Sequence, residues 1–357
     1  MDVRDFDFDL PSELIAQEPP ATRGTSRMLC LDRSTGALTH STIDRLPQFL
    51  DRGDVLAVNN TRVFPARLLG HRVPSGGAVE CLLMRRLPDD RQTFSGSPGE
   101  YWEALMHPGQ KLRPGARVQF GESPVIHGEV IERRFHGRRV IRLWTIDGTS
   151  VDSVIDAIGH VPLPPYIKRA DRPEDRDRYQ TMFARLRGSV AAPTAGLHFT
   201  GELTAALERA GVEIVEITLH VGYGTFQPVR AARVEDHRVE SEQFEIPPAA
   251  AESLNRARRE GRRVVAVGTT TTRALEAVAA AHGGEVVAGP GSTDLFIYPG
   301  FAFQVIQGLV TNFHLPQSSL LMLVSAFGGY RRVMDAYASA VAERYRFYSY
   351  GDAMLIA

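Results

Sequence analysis

Apolar and polar positions follow two different periods along this chain of 357 residues. Between about residues 68 and 150, short runs of strand length are separated by clusters of Gly, Pro and Ser, a pattern typical of antiparallel β-structure. Runs at 125–134 and 138–145 flank His136 and Gly137, which predicts a hairpin. This segment therefore predicts a small barrel or sandwich without a helix.

On both sides of that segment, strand-length apolar runs alternate with runs of helical period. Strands are predicted at 212–219 and 263–267, and helices at 200–211, 248–261, 271–281 and 331–345. Strand–helix–strand alternation implies parallel pairing. We therefore predict an α/β fold: a Rossmann-like layered α/β domain, discontinuous in sequence and formed by residues 1–67 and 151–357, with an inserted small β-barrel domain at 68–150.

Four stretches of the C-terminal half join an apolar run to a cluster of Gly, Thr, His or Asn: residues 191–199, 219–228, 267–273 and 311–316. This is the pattern of a strand that ends in a polar loop. Because ligands bind at strand ends in open α/β sheets, we expect the four stretches to form one composite site.

The stretch at 264–276 carries the sharpest chemical signal. A buried strand is predicted to run to Gly268, followed by four threonines and a helix. A helix N-terminus favours a carboxylate, a phosphate or ribose hydroxyls. Threonines at such a position can instead simply cap the helix, but four exceed what capping requires.

Three histidines stand at predicted strand ends: His198, His220 and His314. A single histidine on an apolar strand is more often a core residue than a catalyst, yet three in equivalent places favour a function. Asn312 and His314 flank Phe313, so both side chains are expected on the same side of the chain. The sequence has no zinc-binding spacing, no nucleophile elbow and no complete dinucleotide fingerprint.

Composition changes this picture little. The net charge is -1, and 43% of the residues are hydrophobic, as is ordinary for a globular protein. Residues 68–150 hold 12 Lys and Arg against 9 Asp and Glu, a weak basic excess. No apolar run reaches membrane-helix length and the first residues do not resemble a signal peptide, so we expect a cytoplasmic protein. Cys30 and Cys81 are expected to be buried thiols.

Arginines suggest where RNA would bind. Arg62 and Arg67 flank the start of the predicted barrel, and the hairpin at 132–142 carries five arginines, of which we expect four to contact phosphates. The expected RNA-binding residues are Arg62, Arg67, Arg133, Arg134, Arg138 and Arg139. A solvated hairpin tip is an equally good interpretation of the second group.

Taken together, these segments resemble the S-adenosylmethionine:tRNA ribosyltransferase-isomerase family of queuosine biosynthesis. Further stretches that carry the resemblance lie at 9–17, 53–67, 162–167, 179–181, 296–300, 321–327 and 345–356. The resemblance implies an α/β domain with an inserted β-barrel. It also implies transfer and isomerisation of the ribosyl moiety of S-adenosylmethionine onto 7-aminomethyl-7-deazaguanine in tRNA, giving epoxyqueuosine-tRNA, adenine and methionine.

No metal or cofactor beyond S-adenosylmethionine is expected, and the partners expected are tRNA and S-adenosylmethionine, with the protein a monomer. His198, His220 and His314 are the candidates for base and acid roles, which the sequence does not divide among them. The residues expected to bind S-adenosylmethionine lie in the four stretches: Thr194, Gly196, Gly222, Gly224, Thr225, Gly268, Thr269, Thr270, Thr271, Arg273 and Asn312.

The sequence departs from the family pattern in three places, one of which is Leu186-Arg187, which replaces the usual segment before Gly188. Glu240 stands where the resemblance implies His, and Gln307 where it implies Asp. Two other hypotheses therefore stay open: a divergent paralogue that cleaves S-adenosylmethionine with a small 7-deazapurine acceptor, and a non-catalytic RNA-binding protein. A binding protein alone would not need Thr, His and Asn to converge at strand ends.

Overall fold

The structure is a computed structural model that describes residues 1–88, 99–226 and 228–357, apart from the side chain of His136. Of the four stretches, only Gln227 lies outside the described residues. The chain forms two compact units. The α/β unit comprises Met1–Arg62, Pro164–Arg169 and Arg178–Ala357, and the barrel unit comprises Val63–Leu163 and Ala170–Asp177. The domain bounds at 68 and 150 stay a prediction.

The strands are β1 (Arg27–Leu31), β2 (Leu38–Thr42), β3 (Val55–Asn59), β4 (Thr61–Val63), β5 (Arg67–Val73), β6 (Ala78–Arg86), β7 (Glu100–His107), β8 (Arg117–Phe120), β9 (Ile126–Arg133), β10 (Arg138–Trp144), β11 (Leu186–Ser189), β12 (Glu213–Leu219), β13 (Glu242–Ile246), β14 (Val264–Val267), β15 (Gly289–Thr293), β16 (Gly308–Asn312) and β17 (Ala353–Ile356). The α-helices are α1 (Val151–Ile158), α2 (Asp175–Arg178), α3 (Gly201–Arg209), α4 (Pro248–Arg259), α5 (Thr269–Ala281), α6 (Ser319–Gly328) and α7 (Tyr330–Ala342).

The α/β unit is built on a nine-stranded sheet in the order β15-β13-β12-β3-β14-β16-β17-β1-β2. Its four central neighbours, β12, β3, β14 and β16, run parallel. Their carboxyl ends therefore meet at one edge of the sheet. The flanking strands are mostly antiparallel, so the sheet is mixed rather than uniformly parallel.

Helices cover both faces of this sheet, which confirms the predicted layered α/β fold. Residues of α4, α5, α6 and α7 pack into one apolar core, as Leu254, Leu275, Val324 and Tyr337 show. Residues of α3 pack into the core on the other face. The central strands β3, β14 and β16 are buried along their whole length, as expected for parallel strands covered on both faces.

Local signals in the sequence explain where these helices begin and end. The Thr200 hydroxyl accepts a hydrogen bond from the backbone N–H of Leu203 and caps α3, as predicted. Gly211 follows the end of α3 with a φ of +88°, a conformation that favours glycine. The helix predicted at 271–281 starts earlier, at Thr269, directly after Gly268.

The barrel unit contains a closed barrel of six strands in the order β10-β7-β6-β5-β8-β9. All six pairings are antiparallel. The predicted hairpin is confirmed: β9 and β10 pair across a turn at Phe135–Gly137. Between residues 68 and 150, the described part holds short 3-10 turns but no α-helix.

Cys30 and Cys81 are both buried free thiols, as expected. Among the residues that the structure describes, no helix is long and apolar enough to cross a membrane. No group of three or more His, Cys, Asp or Glu side chains in that part of the chain could hold a metal ion.

Candidate active site

One pocket of the α/β unit, which we name the strand-end pocket, receives residues from all four polar stretches. It encloses about 530 Å³ of space that no atom fills, including its open mouth. Its walls come from the loops that follow β12, β14 and β16, together with the 3-10 turn at Thr194–His198. The predicted residues found there are Thr194, Thr225, Gly268, Thr269, Thr270, Asn312 and His314.

The N-terminus of α5 faces this pocket without a side-chain cap. Gly268 stands at the cap position with a φ of +91°, so no side chain there bonds the first N–H groups of the helix. Those N–H groups have no partner inside the helix. The buried hydroxyl oxygen of Thr270 has no hydrogen-bond partner among the described residues. The helix therefore presents both N–H donors and one unsatisfied hydroxyl to the pocket, as an anionic or hydroxylated ligand requires.

Asn312 is held in the pocket wall by three contacts. Its Oδ1 accepts from the Thr194 hydroxyl at 3.2 Å, and its Nδ2 donates to the backbone oxygen of Tyr348 at 3.1 Å. Nδ2 also lies 3.1 Å from Nε2 of His198, whose Nδ1 lies 3.0 Å from the Ser26 hydroxyl. Because an amide nitrogen donates, Nε2 of His198 accepts and Nδ1 carries the proton. His198 therefore stands behind Asn312 and orients it.

His314 is the only one of the three predicted histidines found in the pocket wall. Its Nε2 lies 2.9 Å from the Thr311 hydroxyl, and its backbone N–H donates to the Tyr337 hydroxyl. Burial lowers the pKa of His314 to about 3. Burial, assisted by the charges of Arg346 and Arg23, lowers the pKa of His198 to about 4. Both imidazoles are therefore neutral near pH 7.

Other predicted residues lie outside the pocket wall. His220 bonds the Thr61 hydroxyl at 2.8 Å, and its ring packs on Gly188. Gly196 packs against the Thr181 side chain. The Thr271 hydroxyl donates to the backbone oxygen of Val267, the last residue of β14. These three positions make local packing contacts or hydrogen bonds in the structure, and their assignment to the site stays a prediction.

Arg273 is buried and already paired, which argues against our expectation that it binds the substrate directly. Its Nη1 lies 2.6 Å from Oε2 of Glu242, and its Nε donates to the backbone oxygen of Leu295. The other carboxylate oxygen of Glu242 accepts from the Gly222 N–H at 3.0 Å and from the Thr225 hydroxyl at 3.4 Å. Glu242 and Arg273 therefore fasten the loop that contains Gly222 and Thr225 to α5.

Sequence reasoning missed an aromatic wall of the strand-end pocket. Tyr166, Tyr348 and Ser349 all line it. The Tyr166 hydroxyl bonds that of Ser349, and the ring centres of Tyr166 and Tyr348 lie 3.8 Å apart. Burial raises the pKa of Tyr166 well above its usual range, so its hydroxyl stays protonated. Only the density of aromatic residues at 345–350 hinted at this wall.

A second cavity, which we name the Glu240 pocket, adjoins the first and shares Thr225 and Leu320 with it. It encloses about 560 Å³, including its open mouth. Gly224 and Arg273, both predicted to bind S-adenosylmethionine, lie in its wall rather than in the strand-end pocket. The residues that line it are Gly224, Thr225, His237, Arg238, Val239, Glu240, Glu242, Arg273, Leu295, Phe296, Ile297, Ser319, Leu320 and Leu323.

The arginine hairpin of the barrel unit, residues 133–139, is partly neutralised by carboxylates. Arg134 bonds both oxygens of Glu132 at 3.2 Å, and Arg138 bonds Glu103 at 3.2 Å. Arg133 is exposed at the surface, and the neighbouring Phe135 is 86% exposed. Within the hairpin, Arg133 is therefore the best placed of the predicted residues to reach a phosphate.

Arg139 does not fit the expectation of a phosphate contact. Only 1% of its surface is exposed, and its guanidinium donates to the backbone oxygens of Gly109, Leu112 and Arg138. It therefore holds the barrel together. Arg67 is paired with Glu80 at 2.6 Å, whereas Arg62 is exposed.

Comparison with known proteins decides the family. A family model described as queuosine biosynthesis protein matches residues 3–356. The chain belongs to this family. It is 49% identical to the S-adenosylmethionine:tRNA ribosyltransferase-isomerase of Heliobacterium modesticaldum over 100% of both chains. It is 50% identical to the protein of the same name from Symbiobacterium thermophilum, again over 100% of both chains.

A solved structure agrees with this assignment. The crystal structure of S-adenosylmethionine tRNA ribosyltransferase from Thermotoga maritima is 36% identical to the chain, with a TM-score of 0.55. The match covers 99% of this chain and 100% of that one. The queuosine-family resemblance found in the sequence is thereby confirmed.

Proposed function

We propose that this chain catalyses the reaction for which its relatives are named, as an S-adenosylmethionine:tRNA ribosyltransferase-isomerase. It transfers and isomerises the ribosyl moiety of S-adenosylmethionine onto the aminomethyl group of 7-aminomethyl-7-deazaguanine in tRNA. The products are epoxyqueuosine-tRNA, adenine and methionine. Membership of the queuosine biosynthesis family over residues 3–356 supports this proposal.

The site assignment rests on the buried hydroxyl of Thr270 at the uncapped N-terminus of α5, which has no hydrogen-bond partner in the part of the chain that the structure describes. We assign this end of the strand-end pocket to the methionine carboxylate of S-adenosylmethionine, because free N–H groups and the helix dipole stabilise an anion. The hydroxyl oxygens of Thr194 and Thr225 and the second lone pair of Asn312 Oδ1 can still accept hydrogen bonds from ribose hydroxyls.

The sulfonium of S-adenosylmethionine acidifies the hydrogens on C5′, so a positioned base can remove one and form a ylide. The ylide electron pair drives the loss of adenine, the primary amine of the acceptor then attacks the ribosyl carbon, and methionine leaves when a ribosyl oxygen displaces its sulfur to close the epoxide. A group with a pKa of about 3 binds a proton weakly, so we assign His314 to orienting the substrate by hydrogen bonding while it stays neutral. His198 acts through Asn312 as a positioning residue.

On the RNA side, Arg62 and Arg133 remain the strongest candidates, since both are exposed. Arg67, Arg134 and Arg138 would have to exchange a carboxylate partner for a phosphate. S-adenosylmethionine as the sole co-substrate, the monomeric state and the cytoplasmic location stay predictions.

Mass spectrometry tests the reaction directly. The protein is incubated with S-adenosylmethionine and either tRNA bearing the aminomethyl base or the free base. We expect adenine and methionine release together with a mass gain on the tRNA. Release with the free base alone would favour the small-molecule paralogue, and no release with either acceptor would contradict the proposed activity.

Replacing Thr270 by Val tests the site assignment, because it removes the hydroxyl and keeps the shape. We expect the dissociation constant of S-adenosylmethionine, measured by calorimetry, to rise roughly tenfold. Thr272→Val is the matched control, since the Thr272 hydroxyl bonds the backbone oxygen of Gly268 within the helix. Equal effects of both variants would contradict the assignment.

A further inference from the structure

The barrel unit carries an open groove beside the arginine hairpin. This groove, which we name the hairpin groove, lies between the hairpin and the 3-10 turn at Gly109–Lys111, and it encloses about 960 Å³, including its open mouth. Arg133 and Phe135 line it from the hairpin, and Gln110 lines it from the turn. All of these residues belong to one compact unit.

Hydrogen bonds hold both walls of the hairpin groove in place. The buried guanidinium of Arg139, on β10, donates to the backbone oxygen of Gly109 at 2.6 Å and so fixes the turn to the barrel. In the hairpin, the Arg134 N–H donates to the backbone oxygen of Arg138, whose own N–H donates to that of Phe135. The groove is therefore preformed, and a ligand that enters it need not order its walls.

The hairpin groove is electropositive. Arg133 is exposed and pairs with no carboxylate of the described residues. Its charge is felt inside the barrel, because burial, assisted by the positive charge of Arg133, lowers the pKa of the Arg139 guanidinium. Lys111, at the end of the facing turn, is exposed as well. Such charges favour a polyanion through its phosphates.

Phe135 adds an aromatic face to this charged groove. At 86%, it is the most exposed large apolar side chain among the described residues. No other described residue that lines the groove has an apolar side chain, which favours RNA over an apolar protein surface as the ligand. Proteins bind single-stranded RNA by stacking unpaired bases on aromatic side chains while cationic groups follow the backbone.

We propose that the hairpin groove binds an unpaired nucleotide of the substrate tRNA, with its base stacked on Phe135 and its phosphate held by Arg133. This inference rests on the proposed function, which makes tRNA the substrate, and it adds a base contact to the phosphate contacts expected of the hairpin. The amide of Gln110, on the facing wall, can donate to and accept from the edge of that base. Because every base has an aromatic face, stacking supplies affinity rather than choice among bases.

The test measures RNA binding by Phe135→Ala in the full chain, by fluorescence anisotropy. We expect the dissociation constants of tRNA bearing the aminomethyl base and of a single-stranded RNA oligonucleotide to rise roughly five- to fiftyfold, as for one lost stacked base. The dissociation constant of duplex RNA should not change, because duplex RNA offers no unpaired base. The salt dependence of tRNA binding should also stay the same, since no charge is removed.

Matched variants separate stacking from a general apolar contact. Phe135→Trp should bind single-stranded RNA at least as tightly as the unaltered protein, whereas Phe135→Leu should be as weak as Phe135→Ala. Ile146→Ala should have no effect, since Ile146 is an apolar residue of the same unit that is 79% exposed but does not line the groove. No loss with Phe135→Ala, an equal loss for duplex RNA, or full binding by Phe135→Leu would each overturn the proposal.

Failure of the hairpin groove is distinguishable from failure of the proposed function, because RNA binding needs no turnover. Adenine release by the unaltered protein is measured in parallel. Release of adenine together with RNA binding that is insensitive to Phe135 would overturn the groove and leave the activity. Binding that depends on Phe135 without adenine release would support the groove and contradict the activity.

Discussion

The strand-end pocket and the arginine hairpin differ in how far their functional groups can be predicted from the sequence. The pocket is built from neutral groups, namely threonine hydroxyls, an asparagine amide and a deprotonated imidazole, at the ends of parallel strands. The hairpin is built from charges, and carboxylates such as Glu103 on β7 already compensate several of them. In the pocket, the strand order of the sheet determines where the polar side chains lie. In the hairpin, whether an arginine is free to bind a phosphate depends on carboxylates elsewhere in the barrel, such as Glu103.

The comparison shows where function depends on hydrogen-bond geometry and where it depends on charge. Both polar atoms of the Asn312 amide are hydrogen-bonded to neighbouring residues, so a substitution there disturbs several groups together. Arg133 is exposed, so removing it disturbs little beyond itself. Four predictions test this contrast, from the largest effect to the smallest.

Asn312→Asp should reduce kcat/KM by about 100-fold or more, because a carboxylate cannot donate to His198 and Tyr348 and the pocket wall shifts. Steady-state kinetics, with adenine release as the signal, measures this loss. Circular dichroism should show an intact fold. Activity within a few-fold of the unaltered protein would mean that the fixed geometry of Asn312 is not needed.

Arg139→Ala should destabilise the barrel by about 2–4 kcal/mol, because three backbone oxygens lose a buried donor. Both tryptophans of the chain, Trp102 and Trp144, lie in the barrel unit, so tryptophan fluorescence during urea unfolding reports its stability. Arg133→Ala should stay within about 0.5 kcal/mol. Similar values for the two variants would refute the structural role of Arg139.

The pH dependence of unfolding should reveal the buried histidines. The pKa of His198 is about 4 in the folded protein, below the 6.5 of a free imidazole, so its contribution to stability is present above pH 6.5 and is lost as the pH falls towards 4. Between pH 7 and pH 4 this loss is about 3 kcal/mol. Over this pH range, the free energy of unfolding of His198→Gln, measured by urea titration, should therefore fall by about 3 kcal/mol less than that of the unaltered protein. Parallel pH curves would contradict the lowered pKa.

Arg133→Ala should have the smallest effect, confined to RNA. We expect tRNA binding to weaken modestly and its log–log salt dependence to flatten by about 0.7–0.9, as for one lost phosphate contact. Replacing Arg134 as well should add less than a second full contact, because Glu132 and Glu103 already neutralise it. Discrimination among tRNAs should survive. An unchanged slope would indicate that the hairpin tip is solvated and makes no phosphate contact.

Period and turn signals sufficed to predict the layered fold, the inserted barrel and the convergence of four loops. They did so because burial on both faces imposes apolar runs on β3, β14 and β16, and parallel pairing aligns their ends. The flanking strands β2, β13 and β15 carry no such continuous apolar run. The sequence likewise could not show that the Thr270 hydroxyl finds no partner among the described residues while the Thr271 hydroxyl bonds the Val267 backbone oxygen, since this depends on one rotamer.

Contacts between residues that are distant in the sequence were the main feature that the sequence did not predict. Nothing local to Arg273 signals Glu242, and nothing local to Arg139 signals the backbone oxygens of Gly109 and Leu112. Tyr166 and Ser349 meet although they are far apart in the chain. Each of these contacts is decided by tertiary packing, on which single-sequence patterns carry no information.

The position of β17 has a consequence for synthesis on the ribosome. This strand lies between β16 and β1, so β1 and β2 reach the rest of the sheet only through it. Met28 pairs with Ala353, and at 5–20 residues per second the first strand waits roughly 15–65 s for its neighbour to be made. During that interval β1 exposes an unpaired apolar edge, Met28 to Leu31, which is the kind of edge that a nascent-chain chaperone covers.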